Sequence, residues 1–319
     1  MTTPDPVLMQ AQFKKWVTDG VTHCAIEASS IGLAEHRLAG TRIQLAVFTN
    51  FTQDHLDYHG SMAAYWQAKE ALFAWPDLQV AVINVDDEQG VKLANQLQNN
   101  LLNANKALDI WTCSSQNKPA RLQAKALKRT VTGLYFEVVE GKQALPLQTA
   151  LMGDYNVDNL LGVIAALRAL GVSLPQAVKV CSELKAVPGR MEKVSVQEND
   201  QLPLTLVDYA HTPDAVTQTL LALKPFAKSL GSKLWCVLGC GGDRDASKRP
   251  LMAAAAEAVA DHVVLTSDNP RSEEPAHIVA DMLKGLKAPN AVHQQLDRAK
   301  AIEHVVAAAG PRDVILIAG

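Results

Sequence analysis

The sequence lacks the features that mark membrane, secreted or nucleic-acid-binding proteins. No run approaches the roughly 18 apolar residues of a membrane-spanning helix, and the first residues include no apolar signal-peptide segment. The formal net charge is only -3, so charge gives no indication of a nucleic-acid partner or an anionic membrane surface. We therefore expect a cytoplasmic protein that neither inserts into a membrane nor binds nucleic acid.

Cysteine is also scarce, and its pattern favours neither disulfides nor a zinc site. The five cysteines are odd in number and scattered, and four of them lie in apolar surroundings, which predicts reduced thiols. Cys236 and Cys240 form the closest pair but lack further ligands at zinc-site spacing. A Walker A sequence, G-x-x-x-x-G-K-[ST], is absent from these 319 residues.

Apolar runs of strand length alternate with amphipathic helical patterns, which predicts an α/β fold with a mainly parallel sheet. A length of 319 residues favours two domains, and the turn-forming segment 186–190 predicts a boundary between residues 1–186 and 187–319. The predicted strands are Thr22–Glu27, Gln44–Thr49, Val80–Asn84, Leu204–Tyr209, Lys233–Leu238, His262–Thr266 and Asp313–Ile317, with an antiparallel excursion within Leu122–Leu151. The predicted helices are Pro6–Asp19, Met62–Trp75, Gly90–Gln98, Asn156–Leu170, Pro175–Leu184, Thr212–Ser229, Lys248–Ala260, Glu274–Leu286 and Asp297–Ala309.

The segment 49–73 carries the strongest indication of a site. A predicted strand runs into a cluster formed by Asp54, His55 and Asp57, and a helix follows. An apolar stripe on that helix has Lys69 in its middle, and a lysine on a buried face needs compensation. Lys69 has three interpretations: its amine reaches solvent, it binds a phosphate, or its neutral amine reacts with carbon dioxide to give an anionic metal ligand.

Other polar residues follow predicted strands, where ligands bind in open α/β sheets. Glu27 is either a cation ligand or a solvated loop residue, and the convergence of Glu27 and His55 at one edge favours a ligand. Asn156 either caps a helix or contacts a base, and Asp208 either caps a turn or accepts a hydrogen bond from a ribose hydroxyl. The glycine-rich turn 239–245 is weak evidence for a ligand. The Asp-Asn-Pro-Arg turn 268–271 either presents an arginine suited to a carboxylate or is an ordinary surface turn that carries an arginine.

These blocks together resemble the Mur ligase family, the ATP-dependent amide-forming enzymes of peptidoglycan synthesis. The resemblance spans essentially the whole chain and is carried by EASSIGL, TNFTQDHLDYHG, YWQAKEALF, PGRME, VDYAHTPDA, GCGGDRDASKRPLM and DNPRSEEP. It implies the rest of a central ATP-binding domain followed by a Rossmann-like C-terminal domain. Within the family, DNPR goes with members that add meso-diaminopimelate to UDP-N-acetylmuramoyl-L-alanyl-D-glutamate.

The resemblance implies four groups of site residues. The magnesium ligands are Glu27, His55 and the carbamate of Lys69, which is the candidate N6-carboxylysine. Contacts to the UDP-muramoyl substrate come from Ser29, Glu35 and Arg37, and contacts to ATP from Asn156, Arg190 and Asp208. The diaminopimelate pocket is formed by Arg244, Asp268, Asn269, Pro270 and Arg271. The chain departs from the family pattern at Ile31, where histidine is usual, and at Glu35, where glutamine is frequent.

The implied reaction uses ATP and Mg²⁺, proceeds through an acyl phosphate, and requires no macromolecular partner; we expect a monomer. The family's Gly-Lys-Thr-Thr phosphate loop would precede Met1 and its Lys-Gly-His-Glu segment would follow Gly319, so we expect negligible turnover from these 319 residues alone. Three alternatives remain: a related ligase such as folylpolyglutamate synthase, a non-catalytic fragment that keeps a diaminopimelate pocket, and a product that does not fold alone.

Overall fold

The computed structural model describes residues 3–103, 107–130, 133–194 and 202–319, which form two compact units. The first unit comprises Met1–Lys125, Glu137–Leu145 and Asp158–Lys179, and the second comprises Ala126–Phe136, Pro146–Val157 and Val180–Gly319. The predicted domain boundary after residue 186 stays a prediction.

The helices and strands alternate along most of the chain. The helices are α1 Pro6–Thr18, α2 Ser30–Ala34, α3 Leu56–His59, α4 Met62–Glu70, α5 Glu88–Asn103, α6 Tyr155–Ala169, α7 Leu174–Ser182, α8 Pro213–Ser229, α9 Lys248–Val259, α10 Pro275–Leu283 and α11 Arg298–Ala308. The strands are β1 Leu45–Phe48, β2 Val80–Asn84, β3 Asp109–Ser114, β4 Leu122–Thr130, β5 Gly133–Glu140, β6 Gln143–Thr149, β7 Glu192–Lys193, β8 Leu204–Asp208, β9 Leu234–Cys240, β10 His262–Ser267, β11 His293–Gln294 and β12 Val314–Ala318.

The first sheet has the order β1-β2-β3-β4-β5-β6, and β1 to β4 pair in parallel. Strand β2 is buried along nearly its whole length, as expected for a strand covered on both faces. Phe48 and Ile83 pack with Leu93 and Leu97 of α5 into one apolar core. This arrangement brings the residues after β1 and β2 to the same edge of the sheet.

The second sheet has the order β11-β10-β9-β12-β8-β7, with all pairs parallel except β7 with β8. Strand β12 lies between β8 and β9 and pairs with both. The core joins the central strands to α8, α9 and α10 and includes Leu206, Leu238, Leu265 and Leu316. Because β8, β9, β12 and β10 are parallel, the carboxyl ends of β8, β9 and β10 meet at one edge, the edge at which open α/β sheets bind ligands.

One predicted strand is wrong. Thr22–Glu27 has no strand pairing in the structure, and its residues are exposed, Ile26 by 39%. An apolar run becomes a strand only when its backbone groups find a ladder partner, and among the described strands β1 lies at the edge of its sheet, next to β2. Glu27 therefore lies on an irregular, exposed segment.

Other boundaries differ in smaller ways. The predicted helix Met62–Trp75 is an α-helix to Glu70 followed by a 3₁₀ turn at Ala71–Ala74. Strand β3 and the two-residue strands β7 and β11 were not predicted from the sequence. At the start of the segment Leu122–Leu151, β4 pairs in parallel with β3. The predicted antiparallel pairing within that segment stays a prediction.

Among the residues that the structure describes, no helix has both the length and the apolar composition needed to cross a bilayer. All five cysteines are free thiols, and only Cys24 is exposed. Burial raises the pKa of the Cys236 and Cys240 thiols to about 12, so these two residues act as inert core residues.

Candidate functional site

The loop before α2 is fixed by a small hydrogen-bond cluster. The Ser29 hydroxyl caps α2 by accepting the Gly32 N–H at 3.0 Å. Thr3 binds on both sides of this turn: its hydroxyl donates to the Glu27 carbonyl at 2.8 Å and accepts the Ser29 N–H at 2.9 Å. In the described structure the Ser29 hydroxyl is therefore used in a helix cap, the structural role that competes with the substrate contact implied by the resemblance.

Glu35 and Arg37 form an ion pair next to this loop. The Arg37 Nε donates to the Glu35 carboxylate at 2.8 Å, and an Arg37 Nη donates to the Thr3 carbonyl at 2.9 Å. The Tyr58 hydroxyl also donates to Glu35, at 3.3 Å. Glu35 thus neutralises the charge of Arg37, the residue for which the resemblance implies a contact with the anionic UDP-muramoyl substrate.

Lys69 lies on α4 in a partly buried position. Its amine is 5.2 Å from the centroid of the Tyr65 ring, which is 5% exposed. Burial lowers the pKa of Lys69, while the carboxylates of Glu27, Asp54 and Asp87 oppose that shift. Three acidic side chains therefore act on one half-buried amine, and the lowered pKa makes the neutral amine more accessible.

His55 follows β1 in a left-handed conformation, with φ of 54°. The Asp54 carboxylate accepts the His55 N–H at 2.8 Å, and its other oxygen lies 3.6 Å from His55 Nε2. The His55 ring packs edge-on against the Tyr65 ring. The His59 ring stacks on the Tyr65 ring, with the ring centroids 5.3 Å apart. His59 Nε2 shares a 3.0 Å hydrogen bond with the Ser30 hydroxyl, which connects α2 to this aromatic cluster.

Asp87 is a member of this group that the sequence reading missed. Its carboxylate accepts the N–H of Phe51 at 2.8 Å and those of Gln89 and Gly90 at 2.8 and 3.2 Å. Asp87 therefore fixes both the segment after β1 and the start of α5. The available signal was its position just beyond the carboxyl end of β2, next to the strand that leads to His55.

The predicted metal ligands come together only in part. Across the described ranges, no set of three or more His, Cys, Asp and Glu side chains has the arrangement of a metal site. Glu27 and His55 supply one carboxylate and one imidazole, and Lys69 supplies a cation while unmodified. A carbamate on Lys69 would turn that cation into an oxygen ligand, which is the donor type that magnesium prefers.

The predicted nucleotide residues lie in the second unit around the end of β8. The Asp208 carboxylate accepts the Met191 N–H at 2.8 Å. Burial raises the Asp208 pKa, and hydrogen bonds to the carboxylate, this one among them, oppose the rise. The guanidinium of Arg190, which is exposed, lies 5.7 Å from the Tyr209 ring centroid. The Asn156 amide donates to the Met152 carbonyl at 2.7 Å, the local hydrogen bond that competes with a base contact.

The predicted diaminopimelate residues lie on two turns that follow β9 and β10. The Gly242 N–H donates to the Asn269 carbonyl at 2.9 Å, and an Arg271 Nη donates to the Gly242 carbonyl at 2.5 Å. Hydrogen bonds from Ser272 lower the pKa of the Asp243 carboxyl most, and the charges of Arg271 and Arg244 lower it further. The structure therefore brings the two predicted arginines to one carboxylate.

Asp268 has a cationic neighbour that the sequence reading also missed. The Arg298 guanidinium donates to the Ser267 carbonyl at 3.3 Å and to the Ala318 carbonyl at 3.1 Å, across the ends of β10 and β12. Burial lowers the Arg298 pKa and the Asp268 carboxylate opposes that shift. Its position at the first residue of α11 gave no separate sequence signal.

Known proteins resemble this chain over its whole length. A model of the Mur ligase middle domain matches residues 1–167, and a model described as Mur ligase, glutamate ligase domain matches residues 189–319. The UDP-N-acetylmuramoyl-L-alanyl-D-glutamate–2,6-diaminopimelate ligases of Acidovorax sp. and Janthinobacterium sp. are 57% and 46% identical to the chain over its full length. The chain covers 62% of each, or about three fifths of these curated relatives.

A solved structure of a ligase with the same name is similar over all of this chain and 63% of its own, with a TM-score of 0.69 and 38% identity. The two matched models follow each other along the chain, and the turns and the lysine environment described above lie within them. The chain belongs to the Mur ligase family.

Proposed function

We propose that this chain provides the lysine–metal centre, the nucleotide contacts and the amino-acid pocket of an ATP-dependent ligase. The ligase adds meso-diaminopimelate to UDP-N-acetylmuramoyl-L-alanyl-D-glutamate in peptidoglycan synthesis. The observation that carries the proposal is the pair of hydrogen-bonded turns after β9 and β10, which present Arg244 and Arg271 beside the Asp243 carboxylate, with Asp268 on the second turn beside Arg298. A diamino dicarboxylic acid carries both charges that such a set complements.

The proposed reaction has two steps. An oxygen of the D-glutamate γ-carboxylate attacks the γ-phosphorus of ATP, so that an acyl phosphate forms and ADP leaves. The amine of diaminopimelate then attacks the acyl carbon, the carbon–oxygen bond to phosphate breaks, and the amide forms with loss of a proton. The protein's main contribution is to position these charged reactants.

The first unit is proposed to hold Mg²⁺ through Glu27, His55 and the carbamate of Lys69. The neutral Lys69 amine attacks the carbon of CO₂, which gives the carbamate and releases one proton. Bound magnesium supplies charge neutralisation between the carboxylate and the triphosphate. Tyr65 packs beside the Lys69 amine and excludes water from one side of it.

Ser29, Glu35 and Arg37 are proposed to contact the UDP-muramoyl substrate. The Arg37–Glu35 pair makes this contact conditional, because the substrate phosphate must compete with the Glu35 carboxylate for the guanidinium. Asn156, Arg190 and Asp208 are proposed to bind ATP, with Asp208 on the ribose. Two domains, 1–186 and 187–319, a monomeric state and a cytoplasmic location complete the proposal.

Calorimetric titration with meso-diaminopimelate tests the acceptor assignment directly. We expect saturable binding, and binding of L-lysine weaker by at least about 10-fold because lysine lacks the second carboxylate. The Arg271→Ala variant is the matched control and is expected to lose this discrimination. Equal binding of the two amino acids, or no binding of either, would contradict the proposal.

A further inference from the structure

Arg249, near the start of α9, carries a charge that is nearly inaccessible to solvent. Its side chain is 4% exposed. A buried guanidinium is tolerated only when carboxylates and hydrogen bonds replace its hydration. The identity of its partners therefore indicates which parts of the fold require this cation.

The main partner of Arg249 is Glu273, on the turn that follows the Asp268–Arg271 motif. The two residues form a bidentate pair, with Nη1 at 2.9 Å from Oε2 and Nη2 at 2.6 Å from Oε1. Arg249 also donates to Asp281 of α10 at 3.0 Å and to the Gly241 carbonyl at 3.4 Å. One side chain thus connects α9, α10 and both turns of the proposed pocket.

Glu273 also contacts the glycine-rich turn 239–245. Its Oε1 also accepts the Asp243 N–H at 2.6 Å. The Asp243 carboxylate in turn accepts the Ser272 N–H at 3.2 Å and the Ser272 hydroxyl at 2.7 Å. Asp243 therefore both donates to and accepts from the segment 272–273. Arg249 joins this hydrogen-bond network through Glu273.

Two residues inside this network have an unfavourable backbone conformation. Asp243 and Arg271 both have positive φ, 51° and 50°. Non-glycine residues in this region are sterically strained and persist only where surrounding contacts impose the conformation. The imposed conformations set the direction of Arg271 itself and of Arg244, which follows Asp243.

We infer that Arg249 and Glu273 are positioning residues that clamp the two turns and so align Arg244 and Arg271 for a diamino dicarboxylic acid. Neither residue needs to touch the ligand. The inference rests on the proposed function for the identity of the ligand, whereas the clamp itself is a property of the described structure.

The test compares Glu273→Gln with a matched variant, Asp261→Asn. Asp261 is a good match because it also belongs to an ion pair, with Lys224 at 2.8 Å, and also accepts a backbone N–H, that of Leu234. The exposed fractions of the two carboxylates are similar, 31% for Glu273 and 28% for Asp261. Asp261 precedes β10, at the sheet edge opposite the two turns.

Hydrogen exchange and calorimetry give separate readouts. In Glu273→Gln we expect amide exchange at Asp243 and Ser272 to accelerate by at least about 10-fold, and affinity for meso-diaminopimelate to fall by a similar factor. Arg249→Lys keeps the charge but not the bidentate geometry, so it should fall between wild type and Glu273→Gln. Asp261→Asn should lower the melting temperature without changing either readout by more than about twofold.

The outcomes separate the inference from the function on which it rests. Unchanged exchange at Asp243 and Ser272 in Glu273→Gln would overturn the clamp, whatever ligand binds. Faster exchange with unchanged diaminopimelate affinity would overturn the positioning role. Absence of diaminopimelate binding by the wild type would overturn the proposed function, while the exchange data would still decide the clamp.

Discussion

The amine of Lys69 lies 5.2 Å from the centroid of the buried Tyr65 ring, in a position where burial lowers the lysine pKa. The Tyr65 pKa is itself raised to about 12 by burial, so the ring stays neutral at physiological pH. The lysine therefore has a polarisable neighbour that offers no counter-charge, and its compensation comes from carboxylates on other segments.

We predict that Lys69→Met stabilises the chain at neutral pH in CO₂-free buffer. The pKa of Lys69 is lower in the folded chain than in the unfolded chain, so the folded state binds this proton less tightly. The resulting loss of stability is complete below the folded-state pKa and disappears as pH rises past the ordinary lysine value. Urea unfolding at pH 7 and at about pH 10.5 should show the gain at the lower pH only.

The same variant checks the carbamate. Wild-type chain in ¹³C-bicarbonate near pH 8 should show a carbamate carbon signal that is absent from Lys69→Met and lost on acidification. In a complete ligase, this substitution should lower activity by roughly 100-fold or more. A wild-type spectrum identical to that of Lys69→Met would contradict the assignment of Lys69 as a metal ligand.

Asp208→Asn is predicted to lower the affinity for nucleotide and to raise the free energy of unfolding. Burial raises the Asp208 pKa, so the folded state favours the neutral carboxyl, and this contribution to stability is lost as pH rises through the raised value. The amide should therefore increase the free energy of unfolding more at pH 7 than at pH 3.5. Affinity for ATP should fall by about 10-fold, measured by titration with a fluorescent analogue. An equal stability change at both pH values would refute the electrostatic explanation.

Gly242→Ala and Gly241→Ala are predicted to differ sharply. A Cβ at Gly242 would lie 1.9 Å from the Pro270 carbonyl oxygen, so the two turns must separate, at a cost of about 1–3 kcal/mol or more. A Cβ at Gly241 would meet only the end of the Arg271 side chain, at 2.9 Å, which can move. Thermal melts should show a large loss for Gly242→Ala alone, whereas both variants should weaken diaminopimelate binding.

Arg271→Lys is predicted to be a severe substitution despite the retained charge. Arg271 uses one guanidinium nitrogen to hold the Gly242 carbonyl and has further donors for a ligand carboxylate. A lysine amine cannot repeat this planar arrangement. Calorimetry should show affinity for meso-diaminopimelate lower by roughly 10-fold or more, with an unchanged melting temperature. Wild-type affinity in the lysine variant would show that only charge is needed.

Trp111 provides a stability prediction for the first unit. Its ring is 3% exposed, its Nε1 donates to Asp109 at 2.7 Å, and the Arg121 guanidinium stacks 3.4 Å from the ring centroid. Trp111→Ala should cost about 3–5 kcal/mol and Arg121→Ala only about 0.5–1 kcal/mol. Calorimetric unfolding measures both, and comparable losses would indicate that the cation, rather than the buried ring, dominates.

The central strands were predictable because each is an apolar run bounded by turn residues. Predicted His262–Thr266 and observed His262–Ser267 differ by one residue, and the predicted helix Lys248–Ala260 also ends one residue away. Thr22–Glu27 has the same local pattern but no ladder partner in the structure. Pairing is a long-range property, so the pattern alone was insufficient there.

The site was predictable to the extent that its residues sit in recognisable motifs. The motifs assign roles to Lys69 and Arg271, and these stay predictions, whereas Asp87, Arg249 and Glu273 were not assigned roles. Asp87 acts through Phe51, 36 positions earlier in the chain, and Arg249 acts through Glu273, 24 positions later. Such contacts depend on which loops the fold brings together, and no local spacing encodes them.

The insertion of β12 between β8 and β9 has a consequence for synthesis of the chain. Residues 314–318 complete the hydrogen-bond ladders of β8, which lies 110 residues earlier in the chain, and of β9, which lies 80 residues earlier. Until they leave the ribosome, β8 and β9 each present an open edge, which is a hazard for aggregation. A nascent chain stalled before residue 314 should therefore recruit chaperones more strongly than one in which residues 314–318 have emerged.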